Sequence, residues 1–428
     1  MSARTNEIVV LHLSDLQFGR KNRFGSSTSP RGQAQALLLP LEQDLRAVRE
    51  RMRRPIDLVV LSGDLAEWGL PEELEEVYEF AHRLAGFLNL PHRRVVLLPG
   101  NHDIHRVSCE EYFRSCEARN EQPLPPFAPK WQPYRALHER FYAGETDLIF
   151  SPEQPYTLFV YPELEVAVAA LNSTMAESHR DEDHYGQVGV TQLLWFQSEL
   201  RERARAGYLL IGAVHHNVLR GAQNDEENLR DSDALQLYLG AQLHLLLHGH
   251  THDAKAQVLG TELLVLSTGS AGVVRDQRPE DIPNQYQLLR LDARGVTAAR
   301  RAYRHANQRF IGDTGISTDG NEWMVTHPWP GDRVPTRLSY AAQSTPDEAS
   351  AAVNPYHDFL RTSRGEVSNA EIPALDGEKL RASQARILEL FVPPHVTLAG
   401  RFAERFLDMH ELHSLQEQRR AVQQDPEN

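Results

Sequence analysis

Short, continuous apolar runs recur through the first part of the chain, at residues 8–13, 56–61, 95–98, 208–214 and 243–247. Apolar and polar residues do not alternate within them. That pattern predicts strands buried on both faces, as in a sheet covered by helices, rather than half-exposed surface strands. Between the runs the period becomes helical. Leu37, Leu41, Leu45 and Val48 form one stripe of a helix over residues 35–53, which Pro55 ends, and Pro71 opens a second helix with acids in its first turn. A third helix spans residues 193–205. Strand, helix, strand, helix predicts an α/β fold, in which ligands bind beyond the carboxyl ends of the strands.

The rhythm breaks over residues 104–165. A helix carrying Cys109 and Cys116, a bend rich in proline (Pro123, Pro125, Pro126, Pro129, Pro133) and a helix near residues 134–142 predict a helical cap insertion at the rim of the site. Residues 156–160 and 165–171, separated by Pro162, read as a hairpin returning to the sheet. Later strands, at 262–267, 286–291 and 296–303, are expected to complete a second sheet. The expected organisation is one domain over residues 1–305 and an extension and linker over 306–355. Trp323 and Trp329 in that extension need a surface to pack on. A C-terminal helical segment over 356–428, with helices at 382–391 and 398–422, would dock on the chain itself, on a second copy or on a protein partner.

Each early apolar run ends in residues of metal-ligand type: Asp15 and Gln17 after the first, Asp64 after the second, Asn101, His102 and Asp103 after the third, and His215 and His216 after the fourth. The fifth ends in Leu-His-Gly-His-Thr-His, where Gly249 permits a sharp exit and residues two apart in extended backbone share a side, so His250 and His252 converge. An isolated His-x-His is as often a pair of solvated loop histidines as a metal site. The recurrence of such residues at successive strand ends favours the metal.

Taken in order, SDLQ, GDLAEWG, GNHD, a histidine after a strand, and GHTH closely resemble the calcineurin-like metallophosphoesterase family over about residues 8–252. The resemblance implies a four-layer α-β-β-α sandwich and two divalent metal ions, manganese foremost, with iron, zinc or magnesium as alternatives. By correspondence, Asp15, Gln17, Asp64 and His252 would hold one ion, and Asp64, Asn101, His215 and His250 the other, with Asp64 bridging. His102 would stand beside the phosphate, stabilising charge or protonating the leaving oxygen, with Asp103 orienting its ring. His215 is taken over His216 because the family ligand is the first residue after the strand. Gln17 departs from the family's first motif, usually Asp-x-His. A weaker resemblance links residues 388–396, LELFVPPHV, to the segment preceding the nucleotide-binding module of STAND and NACHT ATPases, although the chain has no P-loop motif.

Composition narrows the substrate and the setting. A net charge of -14 excludes a surface that condenses as a whole on nucleic acid or anionic membrane, so a polyanionic substrate must be gripped locally. Arg20, Lys21, Arg23 and Arg31, in a loop over 18–33, offer that grip or form a solvated basic loop. The two cysteines sit at same-face helical spacing rather than as a disulfide framework, which suits a reducing cytoplasm. The N-terminal apolar run is too short for a signal sequence, and no stretch approaches the roughly 20 apolar residues of a membrane span. The expectation is a cytoplasmic, metal-dependent phosphoesterase acting on phosphodiesters of nucleotides or nucleic acid. The alternative is a catalytically weakened module, disabled at Gln17, that serves as a regulatory scaffold.

Overall fold

The computed structural model describes residues 6–25, 30–52, 54–219, 228–314 and 323–339. The expected C-terminal helices, the part of the extension and linker beyond residue 339 and the segment 388–396 lie outside the described residues. In chain order the described elements are β1 (Ile8–Leu13), α1 (Gln33–Met52), β2 (Leu58–Ser62), α2 (Pro71–Leu88), β3 (Val95–Leu98), α3 (Arg106–Ala118), α4 (Gln132–Phe141), β4 (Thr157–Tyr161), β5 (Val166–Ala170), α5 (Val190–Arg205), β6 (Leu209–Ala213), α6 (Ser232–Leu239), β7 (Leu245–His248), β8 (Ala256–Leu259), β9 (Leu263–Ser267), β10 (Gln285–Asp292), β11 (Gly295–Arg304), β12 (Arg309–Gly312) and β13 (Met324–His327).

Two mixed sheets result. One runs β12-β11-β10-β1-β2-β3, with β13 also on β11, and the other runs β4-β5-β6-β7-β9-β8. β1, β2 and β3 are parallel, as are β5, β6, β7 and β9. The carboxyl ends of each parallel set therefore share one edge of their sheet.

The second sheet shows why its strands read as unbroken apolar runs. On β5, Val166, Val168 and Ala170 join the core that includes β1, β2, β3, α1 and α2. Their alternates Ala167 and Ala169 pack with Leu193, Phe196 and Leu200 of α5 and Leu235 and Leu239 of α6. With side chains leaving a strand on alternate faces, β5 has one face on the first sheet's core and the other under helices. The layers are helix, sheet, sheet, helix, as expected.

One expectation is corrected. β10 and β11 do not complete the second sheet. β10 crosses back and pairs antiparallel with β1, Ile8 opposite Leu291 and Val10 opposite Leu289. β1 is wholly buried and has β2 on one side only, so its other row of N–H and C=O groups needs a partner inside the protein. β12 and β13 extend that sheet through His327. Trp329 is buried and donates from Nε1 to Asp292 O at 2.8 Å.

The stripe Leu37, Leu41, Leu45 and Val48 is buried on α1. Cys109 and Cys116 are both free and buried on α3, and Cys109 packs with Phe113 and Phe127. Among the described residues, no helix is long and apolar enough to cross a membrane.

Candidate metal centre

The strand ends bend sharply as they leave the sheets. Asp15, Gln17, Asp64, His250 and His252 all have left-handed backbone, with φ of 54°, 43°, 51°, 67° and 52°. Aspartate and histidine enter that region more readily than most residues, but five left-handed residues gathered at one place mark a functional site. Backbone hydrogen bonds hold the bends: Asp15 N donates to Gly63 O at 3.0 Å and Gln17 N to Asp64 O at 2.9 Å. Two glycines permit the close packing. A Cβ at Gly100 would collide with Asp64 Oδ1, and one at Gly249 with Ser14 Oγ and Asp15 Oδ2.

Asp64 stands at the centre. Its Oδ1 lies 3.2 Å from His215 Nε2 and accepts from His102 N at 2.9 Å. Its Oδ2 lies 3.3 Å from Gln17 Nε2. On the Gln17 side, Asp15 Oδ1 is 3.1 Å from His252 Nε2, and Asp15 Oδ2 accepts from His250 N at 3.2 Å. On the other side, Asn101 Oδ1 is 3.0 Å from His215 Nε2, and the His215 and His250 ring centres are 5.2 Å apart.

Burial works against the charge on both carboxylates, yet the histidines around them outweigh it. Asp64 is held well below the usual carboxylate range by His215 and His102, and Asp15 is lowered by His252. His215, despite its own burial, is pushed up to about 10 by Asp64 and Asp15. Two adjacent buried carboxylates demand positive charge between them. Asp15, Asp64 and His215 each offer a ligand atom within 4.8 Å of the others. Carboxylate oxygens and imidazole nitrogens converging on one buried point fit divalent metal ions.

His102 faces the same cleft. Its ring is held through Nδ1, 2.8 Å from Glu67 O. The role expected for Asp103 is corrected here. Its carboxylate accepts from Leu65 N at 2.9 Å, Ala66 N at 2.8 Å and Gly100 N at 2.8 Å, and these bonds, rather than one to the His102 ring, occupy it. The carboxylate is fully buried among backbone donors of the two motif loops, so it ties the GDLA turn to the GNHD turn. Burial and the neighbouring Asp64 raise it to about 7.

The chain matches the family model of calcineurin-like phosphoesterases over residues 8–254. It belongs to the calcineurin-like phosphoesterase family. A curated relative, glycerophosphodiester phosphodiesterase GpdQ of Enterobacter lignolyticus (strain SCF1), is 34% identical over 109 residues, which is 25% of this chain and 33% of that protein. The match thus spans about a third of the relative's length. Among solved structures, a dimetal phosphatase from Danio rerio aligns with a TM-score of 0.46 at 12% identity, covering 71% of this chain and 98% of that one. GAP50, the anchor in the inner membrane complex of Plasmodium, aligns with a TM-score of 0.40 at 13% identity, covering 76% and 89%.

The cleft of this calcineurin-like phosphoesterase has a volume of about 480 Å³ and is lined by Gln17, Asp64, Asn101, His102, His250 and His252. The other wall includes His216 and, missed by sequence reasoning, Trp68, Arg106, Glu177, His179, Asp181, His184 and Gln277. His216, set aside as a ligand in favour of His215, is buried in this wall with Nδ1 2.7 Å from Ser173 Oγ and Nε2 3.3 Å from Glu177 Oε1. Burial, and then His215, lower it to about 3, so it is neutral.

Lys130, fully buried between α3 and α4, donates from Nζ to Thr174 O at 2.6 Å and Glu177 O at 2.5 Å and so fixes the segment bearing Glu177. Arg106 begins α3 three residues after GNHD, a proximity that was readable in the sequence. Glu177, His179 and His184 follow β5 without any motif to mark them. The basic loop does not line this cleft: Arg20, Lys21 and Arg31 are exposed, and Arg23 turns away to His305, with Nε 3.0 Å from Nδ1.

Proposed function

We propose that the chain is a metal-dependent phosphoesterase that hydrolyses phosphodiesters, with nucleotides or nucleic acid as the favoured substrate class, using two divalent ions. The observation that carries the reading is the division of Asp64: one carboxylate oxygen faces His215 and the other faces Gln17. A carboxylate so placed suits a bridge. Asp15, Gln17, Asp64 and His252 would hold one ion, and Asp64, Asn101, His215 and His250 the other. Gln17 would ligate through its carbonyl oxygen, its amide turned end for end from the orientation that donates to Asp64.

When bound, such a pair polarises the phosphoryl group and activates water for in-line attack. The chain's own residues do the rest. Because Glu67 O accepts from Nδ1, the proton of a neutral His102 ring sits on Nδ1 and Nε2 is the atom free to exchange a proton with the leaving oxygen. Arg106, half-buried in the cleft wall, supplies the local positive charge that an acidic protein needs to hold a phosphoryl oxygen.

The test is hydrolysis of bis-p-nitrophenyl phosphate by chelator-treated protein, with and without added manganese. Turnover that returns with the metal supports the reading. A folded protein that binds metal and hydrolyses neither diester nor monoester supports the scaffold alternative, in which Gln17 has disabled the chemistry.

A further inference from the structure

The short helical turn Arg275–Gln277 separates two cavities. On one side Gln277 lines the metal cleft, and its backbone oxygen lies 2.9 Å from His252 Nδ1. On the other side is a cavity of about 680 Å³ whose lining includes Arg23, Arg275 and Arg278. Its aromatic wall is built from Tyr303 and His305, with ring centres 5.0 Å apart.

The three guanidinium groups are gathered without acidic partners. Arg23 donates to the His305 ring, and Arg278 spends its side chain on the backbone oxygens of Val274 and Ile282. Among the described residues, no carboxylate pairs with Arg23, Arg275 or Arg278. The acids at the rim do not neutralise them: Asp281 forms no ion pair with them, and Asp313 is engaged by Gln285 Nε2 at 2.5 Å. Burial, then Arg23 and Arg275, lower Arg278 to about 10, as expected for cations crowded together. In a chain of net charge -14, a concave site that collects unpaired arginines beside an aromatic wall is built to receive an anion.

We propose that the Arg23, Arg275 and Arg278 cavity is a second anion site that takes a phosphate group, distinct from the one undergoing hydrolysis. Two sources share this chemistry. The phosphate can belong to an extended substrate whose scissile diester lies in the metal cleft, or it can be free in solution. The first source rests on the phosphodiesterase reading above; anion binding itself does not.

The test compares the full-length, metal-loaded protein with its R23Q/R275Q variant, which spares Arg278 because that side chain also caps the local backbone. Neither substituted residue lies in the metal cleft, so hydrolysis of bis-p-nitrophenyl phosphate should match wild type. Two arms follow. In the first, a dinucleotide with a 5′-terminal phosphate is compared with the same dinucleotide lacking it. A preference in KM on the order of tenfold, lost in the variant, is expected for two charge-assisted contacts and assigns the phosphate to substrate. In the second, inorganic phosphate is titrated calorimetrically into both proteins. Phosphate binding at the metals is common to the two, so one additional site in wild type assigns the cavity to a free anion. If wild type shows neither a KM preference nor an additional phosphate site, the proposal is overturned. If no diester is hydrolysed at all, the phosphodiesterase reading fails while the titration still decides the anion site.

Discussion

His102 is held by the backbone of Glu67: its Nδ1 lies 2.8 Å from Glu67 O, and among the described residues no carboxylate bonds the ring. A backbone carbonyl as partner of Nδ1 fixes the tautomer and leaves Nε2 as the nitrogen that faces substrate. His102→Ala is expected to cut turnover by roughly 10²–10⁴, the range for loss of one acid-base group, with metal content unchanged. Metal analysis beside the rate measurement checks this; loss of metal would make His102 a ligand.

Asp103→Asn separates two roles. Were Asp103 to orient the His102 ring, the variant would shift the pH profile of turnover and keep its stability. The carboxylate instead gathers Leu65 N, Ala66 N and Gly100 N, and an amide at that position offers a single acceptor oxygen. The expected outcome is a loss of about 1–3 kcal/mol of stability, the cost of leaving buried donors unpaired, and weaker metal retention. Thermal unfolding of the two proteins measures it.

Acid should destabilise the fold through His138, which does not line the metal cleft. His138, buried against Tyr134, Tyr142 and Phe150, is lowered by burial to about 4. A base with a depressed folded value binds fewer protons folded than unfolded. Its contribution is therefore complete above the ordinary histidine value near 6.5 and is lost as pH falls from there toward about 4. The upper bound is on the order of 3 kcal/mol for such a shift. Denaturant unfolding at pH 7.5 and 4.5 should show a smaller stability loss in His138→Phe than in wild type. Equal losses in both would mean that His138 does not titrate there.

The departure at Gln17 predicts unequal metal sites. On the proposed ligand sets, an amide ligand would leave Asp15, Gln17 and Asp64 as oxygen donors with one nitrogen from His252, a harder and weaker set than the neighbouring one with His215 and His250. Activity should rise with added manganese, and Gln17→His should flatten that dependence by tightening the weaker site. Identical manganese titrations of the two proteins would remove Gln17 from the ligand set.

The strand-end residues were legible because each followed an apolar run that had to be a buried strand, and because Asp15, Asp64, Asn101, His215 and His250 all leave strands at the same edges of the sheets. Three things were not legible. The return of β10 to β1 depends on which strand has an open edge, a property of the assembled sheet rather than of residues 285–292. The role of Asp103 depends on which backbone donors come near it after folding. The wall of Glu177, His179 and His184 follows β5 without a motif, and the segment bearing Glu177 is held by Lys130, more than forty residues earlier in the chain.

Asp64 as a shared ligand is tested most directly by metal stoichiometry with turnover in wild type and Asp64→Asn. Wild type supplied with manganese should hold two ions per chain and hydrolyse bis-p-nitrophenyl phosphate. The variant, whose neutral amide bridges two cations poorly, should fall to one ion or fewer and lose turnover. A variant that keeps two ions and near wild-type turnover would contradict the shared-ligand account.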